Sequence, residues 1–155
     1  TTYLEIGAHK GGTFILMSEI LAKVNPHILC VTCDIVPMSS ILQEYRKYRN
    51  FVYLQYDSTS REFHSFCTDN YIDFAFIDGE HIHYWIDNDY KLFSNKPETK
   101  HIVFHDITNM SCPDVSQYWE DVKKDTKYVK SEFTGQYNSV DNGPYLGIGY
   151  LRKKD

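Results

Sequence analysis

Short apolar runs alternate with helical stretches along this chain of 155 residues, and this alternation constrains the fold more than any other feature. Several runs, such as Ile102-Val103-Phe104, are apolar at consecutive positions, which is typical of parallel strands covered on both faces. Predicted strands cover residues 2–6, 28–35, 51–56, 72–77, 101–105, 128–133 and 146–151. Predicted helices cover residues 13–23, 39–48, 60–69, 84–93 and 114–124. The pattern predicts an α/β fold with a doubly wound, mostly parallel seven-stranded sheet and helices on both faces.

The last two predicted strands follow each other without a helix between them. A segment rich in Asn, Asp, Gly and Pro, residues 138–144, joins them, which predicts an antiparallel final hairpin. No repeat or linker interrupts the chain, so residues 1–155 are predicted to form a single domain. Because the sequence opens directly on a strand, an N-terminal segment that precedes it is one expectation.

The charge pattern excludes several classes of partner. The formal net charge is −5 at pH 7, and the lysines and arginines are scattered, whereas nucleic acids and anionic membranes require a basic patch. No apolar run approaches the roughly 20 residues of a membrane span, and no secretory signal is present. We therefore predict neither a nucleic-acid nor a membrane partner.

Cys30 and Cys33 have the spacing of a zinc or redox motif. They lie in an apolar run that is predicted to be a strand, where side chains three positions apart point to opposite faces. Two small buried hydrophobic residues are therefore the favoured interpretation. Four cysteines do not make a disulfide framework in a domain of this size, which favours a reducing, cytoplasmic location.

A glycine-rich turn follows the first predicted strand. Gly7, Gly11 and Gly12 precede a predicted helix, and glycine permits positive φ angles and close approach of a ligand to the backbone. The unpaired N–H groups of the helix start favour an electron-rich ligand. The spacing departs from the dinucleotide fingerprint and from the phosphate-binding P-loop. An ordinary tight turn is the alternative, but the unit is the usual cradle for a nucleotide-like cofactor.

Acidic and hydroxyl residues end the second and third predicted strands. Asp34 follows the second strand, where a carboxylate can accept hydrogen bonds from ribose hydroxyls. Asp57 and Ser58 follow the third strand and would lie beside it, near an adenine. The alternatives are a solvated carboxylate at Asp34 and a helix cap at Asp57.

Polar residues also end the fourth and fifth predicted strands. Asp78, His81, His105 and Asp106 follow apolar runs, and carboxyl ends of parallel strands share one edge of the sheet. These side chains are therefore predicted to converge. Carboxylates favour Mg²⁺ or Mn²⁺ and imidazole favours Zn²⁺, and a histidine with a pKa near ~6.5 can serve as general base. Taken singly, each histidine has a simpler alternative, a partly buried ring bonded to backbone.

Four segments together resemble the class I S-adenosylmethionine-dependent methyltransferases. They are residues 5–13 (Glu-Ile-Gly-Ala-His-Lys-Gly-Gly-Thr), Asp34, residues 77–81 (Ile-Asp-Gly-Glu-His) and residues 103–106 (Val-Phe-His-Asp). The most similar branch contains the small-molecule O-methyltransferases related to macrocin O-methyltransferase and the cephalosporin hydroxylase group. The resemblance implies a Rossmann-like fold and S-adenosylmethionine as cofactor.

The same resemblance implies roles for individual residues. The implied cofactor-binding residues are Glu5, Gly7, Ala8, Gly11 and Thr13 around the methionine part, Asp34 at the ribose, Asp57 and Ser58 near the adenine, and Asp78. The implied ligands of a divalent cation, Mg²⁺ in the first instance, are Asp78, His105 and Asp106, with His81 as catalytic base. His105 departs from the family pattern, because metal-dependent relatives commonly carry an acidic residue there.

The predicted function is transfer of a methyl group to a hydroxyl of a sugar or another small molecule, with homo-oligomerisation as a further expectation. One alternative is a metal-independent methyltransferase in which Asp78 only touches the cofactor. A second is a nicotinamide-dependent oxidoreductase, whose fingerprint is absent. A third is a non-catalytic cofactor-binding module.

Overall fold

The computed structural model describes residues 1–135 and 146–154. The strands are β1 (Thr2–Ile6), β2 (Leu29–Asp34), β3 (Val52–Gln55), β4 (Phe74–Ile77), β5 (His101–His105), β6 (Tyr128–Phe133) and β7 (Ile148–Lys153). The helices are α1 (Gly12–Val24), α2 (Ser40–Tyr45), α3 (Arg61–Asp69), α4 (His83–Ser94) and α5 (Pro113–Val122).

The strands form a seven-stranded sheet in the order β3-β2-β1-β4-β5-β7-β6. The first five are parallel to one another, whereas β7 runs antiparallel to both β5 and β6. The predicted doubly wound sheet with an antiparallel end is confirmed. The predicted loop at 138–144 lies outside the described residues.

Strand register brings four chain segments to one edge of the sheet. Ile6 pairs with Cys33 of β2 and with Ile77 of β4, and Ile77 pairs with Phe104 of β5. The residues that follow these partners therefore emerge side by side at the carboxyl edge. These residues are Gly7, Asp34, Asp78 and His105.

Two apolar cores cover the two faces of the sheet. Phe63 of α3, Ile86 of α4 and Trp119 of α5 pack on one face. Phe14 of α1 and Leu42 of α2 pack on the other. The helices on both faces were predicted from the continuous apolar strands, which need cover on each side.

Cys30 and Cys33 belong to opposite cores, and both are about 1% exposed. The four cysteines are free. The interpretation of Cys30 and Cys33 as buried small residues is confirmed. Among the described residues, none of the helices has the length and apolar character needed to cross a membrane.

The predicted boundaries differ from those of the structure by up to three residues, and two elements differ most. The second helix was predicted over 39–48, but it begins at Ser40 and ends at Tyr45. The last strand was predicted from residue 146, but it begins at Ile148. Leu146 and Gly147 take φ angles of 66° and 77°, and this left-handed backbone cannot continue a strand.

Candidate active site

The glycine turn between β1 and α1 has the close backbone contacts that its sequence predicts. Gly7 has a φ of 93° and donates a 2.9 Å hydrogen bond to the carbonyl of Cys33. A Cβ atom there would overlap the carbonyl oxygen of Asp78. Gly11 precedes α1 with a φ of 92°. Only glycine combines this conformation with this contact at low energy.

A cavity of about 480 Å³ opens beside the glycine turn at the carboxyl edge of the sheet. Its walls come from the ends of β1, β2, β3 and β4, and from the start of α4. Several predicted cofactor-binding residues line it, together with the predicted base: Gly7, Asp34, Asp57, Ser58, Asp78 and His81. A volume in this range is typical of a small-molecule site.

Asp34 ends β2, lines the cavity and contacts the glycine turn. Its Oδ2 accepts a 2.7 Å hydrogen bond from the backbone N–H of His9, and its Oδ1 accepts one of 3.2 Å from Val36. The carboxylate therefore stands at a fixed position on the cavity wall. A carboxylate in this position can accept further hydrogen bonds from ribose hydroxyls.

Asp57 lines the cavity and also forms hydrogen bonds within its own turn. Its Oδ1 accepts 2.7 Å hydrogen bonds from the N–H and the hydroxyl of Thr59, and these bonds lower the pKa of Asp57. Asp57 thus orders the turn before α3, whereas Ser60 provides the N-cap of that helix. The neighbouring Ser58 is buried on the same wall.

The remaining predicted cofactor residues, Glu5, Ala8, Gly11 and Thr13, are not among those that line this cavity. Glu5 is 1% exposed and accepts a 2.5 Å hydrogen bond from the hydroxyl of Tyr3. Burial raises the pKa of Glu5 to about 8. Ala8 packs in the core beneath α1, and Thr13 lines a second cavity.

The four polar residues after β4 and β5 converge. Nδ1 of His105 lies 3.2 Å from Oδ1 of Asp78 and 3.3 Å from Oδ1 of Asp106. Nε2 of His81 lies 3.6 Å from Oδ1 of Asp78 and 3.4 Å from Oδ2 of Asp106. Asp106 has a φ of 62°, a conformation that Asp tolerates better than most residues. The structure thus brings together two carboxylates and two imidazoles.

The carboxylates change the protonation of both rings. The contact with Asp78 raises the pKa of His81. Burial alone would lower the pKa of His105, but its contacts with Asp106 and Asp78 outweigh burial and raise that pKa to about 10. Without a cation, His105 therefore favours the protonated form near neutral pH. The raised pKa of His81 increases the protonated fraction of that ring, which cannot act as a base.

Several atoms of this cluster lack hydrogen bonds. Nε2 of His81, Nδ1 of His105 and Oδ1 of Asp106 are buried and have no hydrogen-bond partner among the described residues. Their close contacts do not have the directions that hydrogen bonds require. Asp78, His105 and Asp106 each offer one ligand atom, and these atoms lie within 4.8 Å of one another. This donor set fits a divalent cation, and its imidazole makes it less suited to Mg²⁺ than an all-oxygen set would be.

The sequence analysis missed Cys112 at this site. Its Sγ lies 3.2 Å from Nδ1 of His81 and 3.8 Å from Oδ2 of Asp106. Two consecutive turns return the chain to the cluster, with hydrogen bonds from the N–H of Asn109 to Asp106 and from the N–H of Cys112 to Asn109. No local sequence pattern indicates that these turns bring Cys112 back to the cluster. The cavity-lining residues Tyr56 and Trp85 were also given no cofactor role.

A second cavity of about 420 Å³ lies on the α1 side of the sheet. Its walls are mainly apolar, and they include the imidazole of His105 and the phenol of Tyr150. The other lining residues are Thr13, Leu16, Met17, Phe76, Val103, Phe133, Leu146, Ile148 and Tyr150. His105 therefore borders this cavity while its Nδ1 faces the carboxylates.

Comparisons with known proteins point to one family. A family model described as a methyltransferase domain matches residues 4–107. No curated protein matches the chain in sequence. The SAH-bound methyltransferase of Podospora anserina superposes with a TM-score of 0.69 at 14% identity, covering 99% of this chain and 72% of its own.

Two further solved structures share the fold. A TDP-rhamnose 3′-O-methyltransferase of calicheamicin biosynthesis has a TM-score of 0.66 at 15% identity, covering 99% of this chain and 72% of its own. A precorrin-6y C5,15-methyltransferase from Geobacter metallireducens has a TM-score of 0.61 at 16% identity. The match covers 99% of this chain and 80% of the Geobacter chain. At these identities the likeness shows the fold alone.

Proposed function

The chain belongs to the methyltransferase domain family, and on that premise we propose that it transfers a methyl group from S-adenosylmethionine to a hydroxyl oxygen of a small molecule. The observation that carries the proposal is the shared cavity beside the glycine turn, which Gly7, Asp34 and Asp78 line together. This arrangement provides a ribose acceptor and a close backbone approach at one site.

The cofactor would lie along the carboxyl edge of the sheet. Asp34 would accept hydrogen bonds from the ribose hydroxyls, and the adenine would lie near Asp57 and Ser58. Trp85 lines the same cavity and offers an aromatic surface for the base. The methionine part would then extend along the glycine turn, with its sulfonium near Asp78.

The reaction would be an in-line displacement at the methyl carbon. The acceptor oxygen forms a bond to this carbon while the carbon–sulfur bond breaks, and the electron pair of that bond neutralises the sulfonium to give S-adenosylhomocysteine. The hydroxyl proton goes to the imidazole of His81, a residue that lines the cavity. The main contribution of the protein is alignment of oxygen, carbon and sulfur.

Asp78, His105 and Asp106 would hold a divalent cation, Mg²⁺ or a more nitrogen-tolerant ion such as Mn²⁺. A bound cation of this kind orients a hydroxyl and lowers its pKa. The buried ligand atoms without hydrogen bonds favour this assignment over a purely structural cluster.

A sugar is the proposed acceptor class. The support is the resemblance of the sequence motifs to the macrocin O-methyltransferase and cephalosporin hydroxylase group, together with the fold of the TDP-rhamnose 3′-O-methyltransferase. Methyl-transfer assays with a panel of nucleotide sugars test the acceptor class directly.

Titration calorimetry tests the cofactor. We expect heat on adding S-adenosylmethionine or S-adenosylhomocysteine, and none on adding NAD⁺. Binding of NAD⁺ alone would overturn the proposal in favour of an oxidoreductase. Cofactor binding without methyl transfer to any of a panel of nucleotide sugars and phenols would favour the non-catalytic module.

The catalytic assignments are tested once an acceptor is found. We expect His81→Ala to lose most of its turnover while it keeps its affinity for S-adenosylhomocysteine. Full turnover in that variant would remove His81 as the base. Full turnover of the wild type after exhaustive chelation would favour the metal-independent alternative.

A further inference from the structure

We propose that Cys112, His81 and Asp106 form a second cation site, selective for a thiophilic divalent ion of the Zn²⁺ type. The site adjoins the group of Asp78, His105 and Asp106 and shares the Asp106 carboxylate with it. Cation binding by Cys112, His81 and Asp106 does not depend on the proposed methyl transfer. Its effect on the role of His81 as a base does rest on that proposed function.

The spacing of the donor atoms agrees with tetrahedral zinc coordination. Bonds of about 2.0–2.3 Å place neighbouring ligand atoms about 3.3–3.8 Å apart. The two distances from Sγ of Cys112 agree with this spacing, at 3.2 Å to Nδ1 of His81 and 3.8 Å to Oδ2 of Asp106. One ligand atom from each residue lies within 4.8 Å of the others.

The burial of these donors is hard to explain by packing alone. Asp106 is 4% exposed and Cys112 is 7% exposed, while Oδ1 of Asp106 and Nε2 of His81 have no hydrogen-bond partner among the described residues. Buried polar atoms without hydrogen bonds are costly. A cation bound to the Asp106 carboxylate and to the imidazole of His81 would offset part of this cost.

The chemistry of the donors selects the ion. A thiolate and an imidazole favour Zn²⁺ and similar borderline ions, whereas Mg²⁺ requires oxygen ligands. Three protein ligands leave a fourth position open, as in zinc sites that are accessible to small molecules. His81 lines the 480 Å³ cavity, which provides a route for the ion.

The backbone holds the site in place before any ion binds. The left-handed φ of 62° at Asp106 and the two turns that follow it direct Cys112 back onto His81. Because the ligands are already together, little chain ordering would oppose binding.

The proposed site has a consequence for the reaction proposed above. A cation on Nδ1 of His81 would take the lone pair with which the neutral imidazole acts as base. Zinc would therefore act as an inhibitor.

Cobalt substitution tests the site in the full chain. Reduced, metal-free protein is titrated with Co²⁺, and we expect a thiolate-to-cobalt charge-transfer band in the near ultraviolet that Zn²⁺ then removes. Cys112→Ser should abolish the band and weaken Zn²⁺ binding, measured by calorimetry, at least about tenfold. Cys67→Ser is the matched control, because Cys67 is a buried thiol in α3, outside the cluster, and should leave the band unchanged.

Two outcomes would overturn the proposal. One is a wild-type cobalt spectrum without thiolate charge transfer, which is independent of how any variant folds. The other is a band that persists in Cys112→Ser and disappears in Cys67→Ser. Titration of the same samples with S-adenosylhomocysteine separates the two proposals, since cofactor binding is expected whether or not zinc binds.

Discussion

The carboxylate of Asp34, at the end of β2, accepts a 2.7 Å hydrogen bond from the backbone N–H of His9 in the glycine turn. His9 has a φ of 44°, an uncommon conformation for a residue with a side chain. The hydrogen bond therefore helps to hold the turn in its shape. Since Asp34 also lines the cavity, one side chain couples the shape of the turn to the proposed ribose site.

Replacement of Asp34 tests this coupling. We expect Asp34→Ala to weaken S-adenosylhomocysteine binding by about tenfold or more, because hydrogen bonds to a charged group are each worth about 1.5–3 kcal/mol. Calorimetry measures the change. Asp121→Ala is the control, since Asp121 is an exposed residue at the end of α5. Unchanged affinity in Asp34→Ala would contradict the ribose assignment.

Two adjacent glycines should respond in opposite ways to alanine. A Cβ atom at Gly11 would lie 2.5 Å from Cδ2 of the fully buried Leu42, and the φ of 92° disfavours any side chain. We expect Gly11→Ala to lower the free energy of unfolding by about 2 kcal/mol or more. Gly12, the first residue of α1, has open space at the same position. Gly12→Ala should leave stability unchanged or raise it by about 0.5 kcal/mol.

Denaturant unfolding of both variants measures this difference. Equal destabilisation would show that the turn does not have the backbone conformation described for Gly11.

Asp89 should make folding stability depend on pH. It lies in α4, is 1% exposed, and its Oδ2 has no hydrogen-bond partner among the described residues. Burial, with a smaller contribution from the charge of Asp57, raises its pKa from 3.8 to about 6. The folded state binds a proton at Asp89 more tightly than the unfolded state does, so protonation of Asp89 stabilises the fold. This stabilisation is complete below pH 3.8 and is lost as the pH rises through 6.

Asp89→Asn isolates this effect. Relative to the wild type, the variant should gain up to about 3 kcal/mol of unfolding free energy between pH 4 and pH 7, since each pKa unit is worth about 1.4 kcal/mol. Unfolding curves at each pH give the difference between the two proteins, in which the other titrating groups cancel. A difference that stays constant with pH would show that Asp89 is ionised in the folded protein throughout this range.

The cysteines should react only slowly in the folded protein. All four are free and buried, and burial raises the pKa of Cys33 and of Cys67 to about 12. The neutral thiol is a poor nucleophile. An aromatic disulfide reagent should therefore titrate four thiols in denaturant and react only slowly with the folded protein. Cys112 should react first, because it is the most exposed of the four at 7%. Two thiols in denaturant would reveal a disulfide and contradict the described structure.

Much of the fold was predictable because its signals are local. The apolar runs that became β4 and β5 need cover on both faces, and this requirement alone predicts helices on either side of a parallel sheet. The convergence of Asp78 and His105 was predictable for a similar reason. Parallel strands in matched register end at one edge, so residues that follow them meet there.

Other features depend on contacts between distant segments. Glu5, which is predicted to bind the cofactor, is buried against Tyr3, and its position in the sequence does not reveal this burial. The start of β7 was predicted two residues early because the left-handed backbone at Leu146 and Gly147 is not visible in their apolar character. Cys112 joins the cluster only through the turns after β5.

Strand alternation, the glycine turn and the acidic strand ends were determined by the sequence alone, because hydrophobic periodicity and backbone preference act over a few residues. Tertiary structure decided which polar atoms are buried without partners, and it brought the thiol of Cys112 to His81. Such contacts arise only when the packed sheet closes distances between residues far apart in the chain. The resulting loss of water raises the pKa of Asp89, whereas the carboxylates of Asp78 and Asp106 raise that of His105.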